Sequence, residues 1–192
     1  MTDLFTDDDD DELVELKVAL PNHALASTES LWGDGIPSEE GHYVLRCIPL
    51  FAYGLNWGDV VQASLSSHDR PTLGIDRVVR RSGHETVRLT FLRNTRPRER
   101  GPMLETLCEF GLSYEGSPAQ TIAIDVPPRA DFRAVMTLLR CWSDEGRCYF
   151  ETGDARAEGS FDDAPAEDAA AAMQAMMTAA ASVRSQRPRD DA

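Results

Sequence analysis

Residues 85–150, ETVRLTFLRNTRPRERGPMLETLCEFGLSYEGSPAQTIAIDVPPRADFRAVMTLLRCWSDEGRCYF, carry the pattern that decides the fold. Glu85–Leu92 alternates Val87, Leu89 and Phe91 with Arg88 and Thr90, the period-two signature of a strand. After the polar loop Arg93–Arg100, Met103, Leu104, Leu107 and Cys108 recur at helical spacing. The spacing predicts a helix over Pro102–Gly111, with Pro102 in its first turn and Gly111 as its C-terminal cap. Leu112–Glu115 and Thr121–Val126 read as two strands across Gly116-Ser117-Pro118. Pro127-Pro128 then ends the second strand and opens a helix over Ala130–Trp142, with Phe132, Val135, Leu139 and Trp142 along one face. Cys148-Tyr149-Phe150 is a last strand. The order strand, helix, strand, strand, helix, strand predicts a ferredoxin-like βαββαβ unit.

Upstream, the rhythm is shorter. Leu13–Leu20, Glu29–Trp32, His42–Leu50, Asp59–Leu65 and Leu73–Arg81 are five strand candidates separated by turn residues. Gly33, Gly35, Pro37 and Gly41 are expected to form a hairpin loop. Five such strands fit a small bent β-sheet or barrel. The run FAYGLNWGD places Phe51, Tyr53 and Trp57 where they read as a barrel plug, since aromatic rings are commonest in cores. The expectation is therefore an α+β chain: an acidic disordered tail over 1–12, a barrel-like module over 13–82 and the ferredoxin-like module over 83–152. Residues 153–192 form an acidic, alanine-rich tail, disordered or carrying one helix around Ala164–Ser182.

Three runs, ESLWGDG (29–35), IPLFAYGLNWGDVVQA (48–63) and VVRRSGHETVRLTF (78–91), together resemble a bacterial family known only as a domain of unknown function, the four-two-six-five family. The likeness extends over about residues 24–152 and implies a shared fold unit without implying a chemistry.

Charge and composition narrow the function classes. The net charge is −14, yet the 70–100 segment holds nine arginines against Asp76, Glu85 and Glu99. Overall acidity opposes general nucleic-acid binding at long range. The strands of the second unit also lack a base-stacking platform, because Phe91 lies in the apolar phase and Thr121–Val126 has no aromatic residue. Its open sheet face is expected to pack on the N-terminal β unit or on another subunit. No stretch nears the roughly 20 apolar residues of a membrane helix, and the acidic N-terminus is unlike a secretory signal. Cys47, Cys108, Cys141 and Cys148 form no paired motif and read as reduced, mostly buried thiols of a cytoplasmic protein.

The chemical motifs are sparse. His23, His42, His68 and His84 stand in separate contexts, so neither a metal nor a cofactor is expected. Ser82 and His84 are the one pair with a catalytic look, weak because no third orienting group is visible. The alternative for them is a turn whose histidine bonds backbone or a carboxylate. Arg77, Arg80, Arg81 and Arg88 are either solvated strand residues paired with nearby acids or a docking stripe for an acidic partner. The expected function is a non-enzymatic binding or regulatory role through protein–protein contacts, of the immunity or antitoxin type, with the partner and oligomeric state open. The alternative is a small hydrolase or transferase using His84.

Overall fold

The computed structural model describes residues 13–21, 23, 26–66, 71–116, 121–155 and 159–162. The acidic N-terminal tail, His68 and the alanine-rich segment 164–182 lie outside them. Among the described residues, nine strands form two sheets and two helices accompany them in an α+β chain. β1 (Val14–Ala19), β2 (Thr28–Gly35), β3 (His42–Leu45), β4 (Val60–Leu65) and β5 (Leu73–Arg80) make a closed barrel in sequence order. Each consecutive pair is antiparallel, and the seam closes by parallel pairing of Leu16 with Leu73 and Lys17 with Gly74. Leu16, Leu31, Leu45, Leu55 and Val61 fill the interior.

β6 (Glu85–Phe91), α1 (Pro97–Glu109), β7 (Ser113–Gly116), β8 (Thr121–Val126), α2 (Phe132–Asp144) and β9 (Cys148–Thr152) follow. Their strands form an antiparallel sheet in the order β7-β8-β6-β9. Val87, Leu89 and Phe91 of β6 and Ile122, Ile124 and Val126 of β8 meet Met103, Leu107, Val135, Leu139 and Trp142 of the helices. The alternate residues Thr86, Arg88, Thr90, Ala123 and Asp125 are buried as well. Their face is covered by the segment between β3 and β4, as the hydrogen bonds of Thr86 Oγ1 to Leu55 O (3.4 Å) and Ile48 N to Glu115 Oε2 (3.3 Å) record. The open sheet face is thus packed on the N-terminal unit.

Several boundaries differ from the sequence reading. Gly33 and Gly35 belong to β2 rather than to a loop. A side chain at Gly33 would start 3.0 Å from Val44 O and 3.1 Å from Leu16 Cδ1, so the missing Cβ permits the close strand approach. β3 stops at Leu45 instead of Leu50, because the amides from Ile48 onward are claimed by side chains: Ile48 N donates to Glu115 Oε2. Glu29 accepts Leu50 N at 2.6 Å, Phe51 N at 3.1 Å and Ala52 N at 2.7 Å. α1 starts at Pro97, not Pro102. Pro97 occupies the first helical position, where a missing N–H costs nothing, and Arg96 N donates to Glu99 Oε2 at 2.9 Å. Pro102 consequently sits inside the helix. Asp131 caps α2 by accepting Ala134 N, and Phe132, at the first helical position, is exposed rather than packed.

Order also continues past Thr152, where a tail was expected to begin. Gly153 N donates to Thr86 O and Gly153 O accepts from Gly54 N, each at 2.7 Å. A Cβ at residue 153 would lie 2.9 Å from Thr86 Cβ, so this crossing needs glycine. Further on, Phe161 O accepts Tyr53 N at 3.2 Å and the Phe161 side chain packs on the barrel core.

All four cysteines are free; Cys47 and Cys148 are buried, whereas Cys108 and Cys141 are exposed. Burial pushes the Cys47 thiol up to about 11 and the Cys148 thiol up to about 12. An alkylating reagent at pH 8 should label Cys108 and Cys141 in the folded protein, and Cys47 and Cys148 only after denaturation. Peptide mass spectrometry reads this directly, and early labelling of Cys148 would mean that β9 opens in the native state.

Candidate functional site

The junction between β5 and β6 lies against the turn that precedes β4. Asp59, fully buried, organises it. Its Oδ1 accepts Ser82 N at 2.8 Å and Ser82 Oγ at 3.1 Å; its Oδ2 accepts Arg81 Nη1 at 2.9 Å and Asn56 N at 3.1 Å. Ser82 Oγ also lies 2.7 Å from Trp57 O and accepts His84 N at 3.2 Å. The single hydroxyl proton is therefore directed at a carbonyl and a carboxylate, not at the His84 imidazole. Ser82 and His84 are neighbours, but they are not arranged as nucleophile and base.

His84 has another partner. Its Nδ1 lies 2.7 Å from Asp125 Oδ1, a buried carboxylate on β8, and its ring leans on Trp57 with centroids 4.9 Å apart. Asp125 is the orienting group that the sequence did not reveal. An aspartate on one ring nitrogen fixes which tautomer the histidine adopts and leaves Nε2 to act. Glu115 lies close by, and burial, then the Asp125 charge, raises its carboxyl above the usual range against the lowering effect of Ile48 N–H.

The four arginines separate into different environments. Arg77 is exposed on β5 with no ion pair among the described residues. Arg80 is 59 % exposed and only approaches Glu39, at 3.9 Å. Arg81 spans Asp59 and Gly54 O, the latter at 2.5 Å. Arg88 is buried, which removes it from any docking stripe. Its guanidinium donates to Ala52 O, lies 3.4 Å from Glu151 Oε1 and covers the Tyr53 ring at 4.2 Å. Tyr53 Oη in turn donates to Glu151 at 2.9 Å. Of the three aromatics expected as a plug, only Phe51 packs on the barrel core; Tyr53 and Trp57 serve Arg88 and His84. His23 stacks near Phe51, and burial, then the Arg88 charge, lowers its tendency to protonate.

Glu29, Asp59, Asp125 and Glu151 escaped the sequence reading as site residues. Glu29 and Asp59 had a faint signal, standing at the head of ESLW and after Gly58. Asp125 and Glu151 had none. Among the described residues no three His, Cys, Asp or Glu side chains gather to hold a metal. No described helix is long and apolar enough to cross a membrane.

The quoted runs thus converge on one seam between barrel and sheet. A comparable fold occurs in the crystal structure of a hypothetical protein from Neisseria gonorrhoeae, with a TM-score of 0.61 at 20% identity, covering 78% of this chain and 97% of that one. At that identity the likeness concerns the fold alone. No curated protein matches the chain. The family described as Domain of unknown function (DUF4265) matches residues 29–150, which include Glu29, Asp59, Ser82, His84 and Arg88. Because that match spans well over half of the sequence, the chain belongs to the DUF4265 family.

Proposed function

We propose that this protein is a non-enzymatic cytoplasmic binding or regulatory protein that acts through protein–protein contacts. The observation that carries this reading is the exposed surface of β5. There Arg77 and Arg80 are exposed beside the exposed Val79, on a molecule whose net charge is −14. An acidic partner would be attracted to this patch and steered away from the acidic remainder of the surface. The second unit reads as ferredoxin-like, a reading supported by the strand order and by two helices on one face. The 48–55 segment takes up its other face, so that face is closed to a partner.

The test is affinity capture of the full-length protein from its host, followed by binding kinetics with the recovered partner. Arg77→Glu with Arg80→Glu should slow association more than it speeds dissociation. Wild-type association should also slow between 0.1 M and 1 M salt, as the Debye length falls from about 10 Å to about 3 Å. Unchanged kinetics in the double variant would remove the β5 patch as the docking surface.

The Asp125–His84 pair favours a second reading, a small hydrolase or transferase using His84. In that reading His84 works as a base on water or substrate, since the Ser82 hydroxyl is committed to Trp57 O and Asp59. His84→Ala separates the two. The binding reading expects the cellular phenotype to survive; loss of phenotype with folding and partner binding intact would favour catalysis.

A further inference from the structure

The 48–63 and 78–91 runs are locked to each other. The turn Asn56-Trp57-Gly58-Asp59 grips the linker Arg81-Ser82-Gly83-His84 between β5 and β6. The β6–β8 ladder begins only at Glu85, which pairs with Val126, and Asp125 stands opposite Thr86. Strand pairing by itself therefore does not place residue 84. Its backbone is held by His84 N donating to Ser82 Oγ at 3.2 Å. That hydroxyl is held in turn by Trp57 O and by Asp59 Oδ1, which also takes Ser82 N. The approach is close, since a side chain at Gly58 would begin 3.2 Å from Ser82 Cβ. The Trp57 ring then backs the imidazole, with centroids 4.9 Å apart. Because Nδ1 meets the buried Asp125, Nε2 points the opposite way. It has no partner among the described residues, and the His84 side chain keeps 17% of its surface exposed.

We propose that Asp59 is a positioning residue for His84: through Ser82 it holds the imidazole on Asp125 as the Nδ1–H tautomer, so that Nε2 is a standing proton acceptor. Asp125 fixes the tautomer only while the ring stays within hydrogen-bond reach of it, and the Asp59–Ser82 link keeps it there. Ser82 is thus a coupling between two aspartates rather than a nucleophile. The ring proton stays on Nδ1, against Asp125, and Nε2 is left to take the proton of a water or a substrate hydroxyl. This role rests on the hydrolase or transferase reading of His84, yet the tautomer can be read without any turnover.

The experiment is an NMR correlation of the imidazole nitrogens and ring protons of the full chain at about pH 8, where free imidazole is neutral. The spectrum of His84→Gln assigns the His84 signals. Wild type should show Nδ1 protonated and Nε2 bare. Asp59→Asn is the direct variant, but it leaves Arg81 without its carboxylate and risks the fold. Ser82→Ala, at a half-buried position, leaves Asp59 in place and cuts the link. It should raise the ratio of the Nε2–H to the Nδ1–H form about fivefold, the worth of one ordinary hydrogen bond. Leu139→Ala loosens the core under the helices without touching the linker and should leave the ratio as in wild type. A wild-type ring protonated on Nε2, an unchanged ratio in Ser82→Ala, or an equal shift in Leu139→Ala would each overturn the role. If the ratio shifts as expected while His84→Ala keeps the cellular phenotype, the positioning holds and the catalytic reading alone falls.

Discussion

Arg88→Ala should lower the melting temperature by roughly 10 °C, although Arg88 is a charged residue outside both apolar clusters. Its side chain is 5% exposed and that of Glu151 is 9% exposed, so solvent screens the pair weakly. Removing the arginine takes the cation away from the Glu151 carboxylate, which keeps its bond from the Tyr53 hydroxyl, and frees the buried Ala52 carbonyl. Breaking one half of a buried ion pair costs about 3–5 kcal/mol. In a chain of this size each kcal/mol is worth about 2–4 °C. Arg88→Met with Glu151→Gln should recover part of the loss, because neither position then carries a buried charge. Urea or thermal unfolding by circular dichroism measures both. A cost below about 1 kcal/mol for Arg88→Ala, the range of exposed pairs, would mean that water enters the seam and that barrel and sheet are loosely joined. Arg77→Ala, at an exposed position, should stay within about 0.5 kcal/mol of wild type.

Leu139→Ala and Leu107→Ala should each destabilise the protein by about 2–5 kcal/mol. Both side chains are essentially inaccessible and face the β6–β8 layer from opposite helices. Removal of the isobutyl group leaves a void that close-packed neighbours close only partly. Phe132→Ala should cost far less, since that ring is 38% exposed at the start of α2. This contrast, read in denaturant midpoints, tests which face of α2 meets the sheet. A neutral Leu139→Ala would show that the helix is turned the other way.

The helix face illustrates how far local pattern carries. Val135, Leu139 and Trp142 recur at the period of a helix, and each is buried where the periodicity put it. Phe132 shares the phase but lies on the first turn, where the amphipathic stripe runs out from under the sheet. α1 was misplaced by five residues because two prolines compete for the starting role. The choice of Pro97 depended on the Arg96–Glu99 bond, a detail weaker in sequence than Pro102 itself. For β3, the expected strand ran on through Leu50, since Cys47, Ile48 and Leu50 look extended. Instead Ile48 N donates to Glu115, and a carboxylate from β2 captures the Leu50, Phe51 and Ala52 amides.

Alternation and helical period are properties of neighbouring residues, so the elements and their apolar faces could be read directly from the chain, as could the α+β class. Which residues meet across the seam could not. Arg88 pairs with Glu151, 63 positions away, because β6 and β9 adjoin in a register that sets those two residues opposite each other. His84 finds Asp125, 41 positions away, because the β6–β8 register brings the end of β8 beside the turn before β6. Glu29 caps a segment more than twenty residues downstream, at Leu50, Phe51 and Ala52. Each partner is selected by strand order and register, which depend on the packing of the whole chain and leave no periodic mark around either residue. The same packing separated four similar-looking arginines, burying Arg88 in the seam, tying Arg81 to Asp59 and leaving Arg77 and Arg80 at the surface.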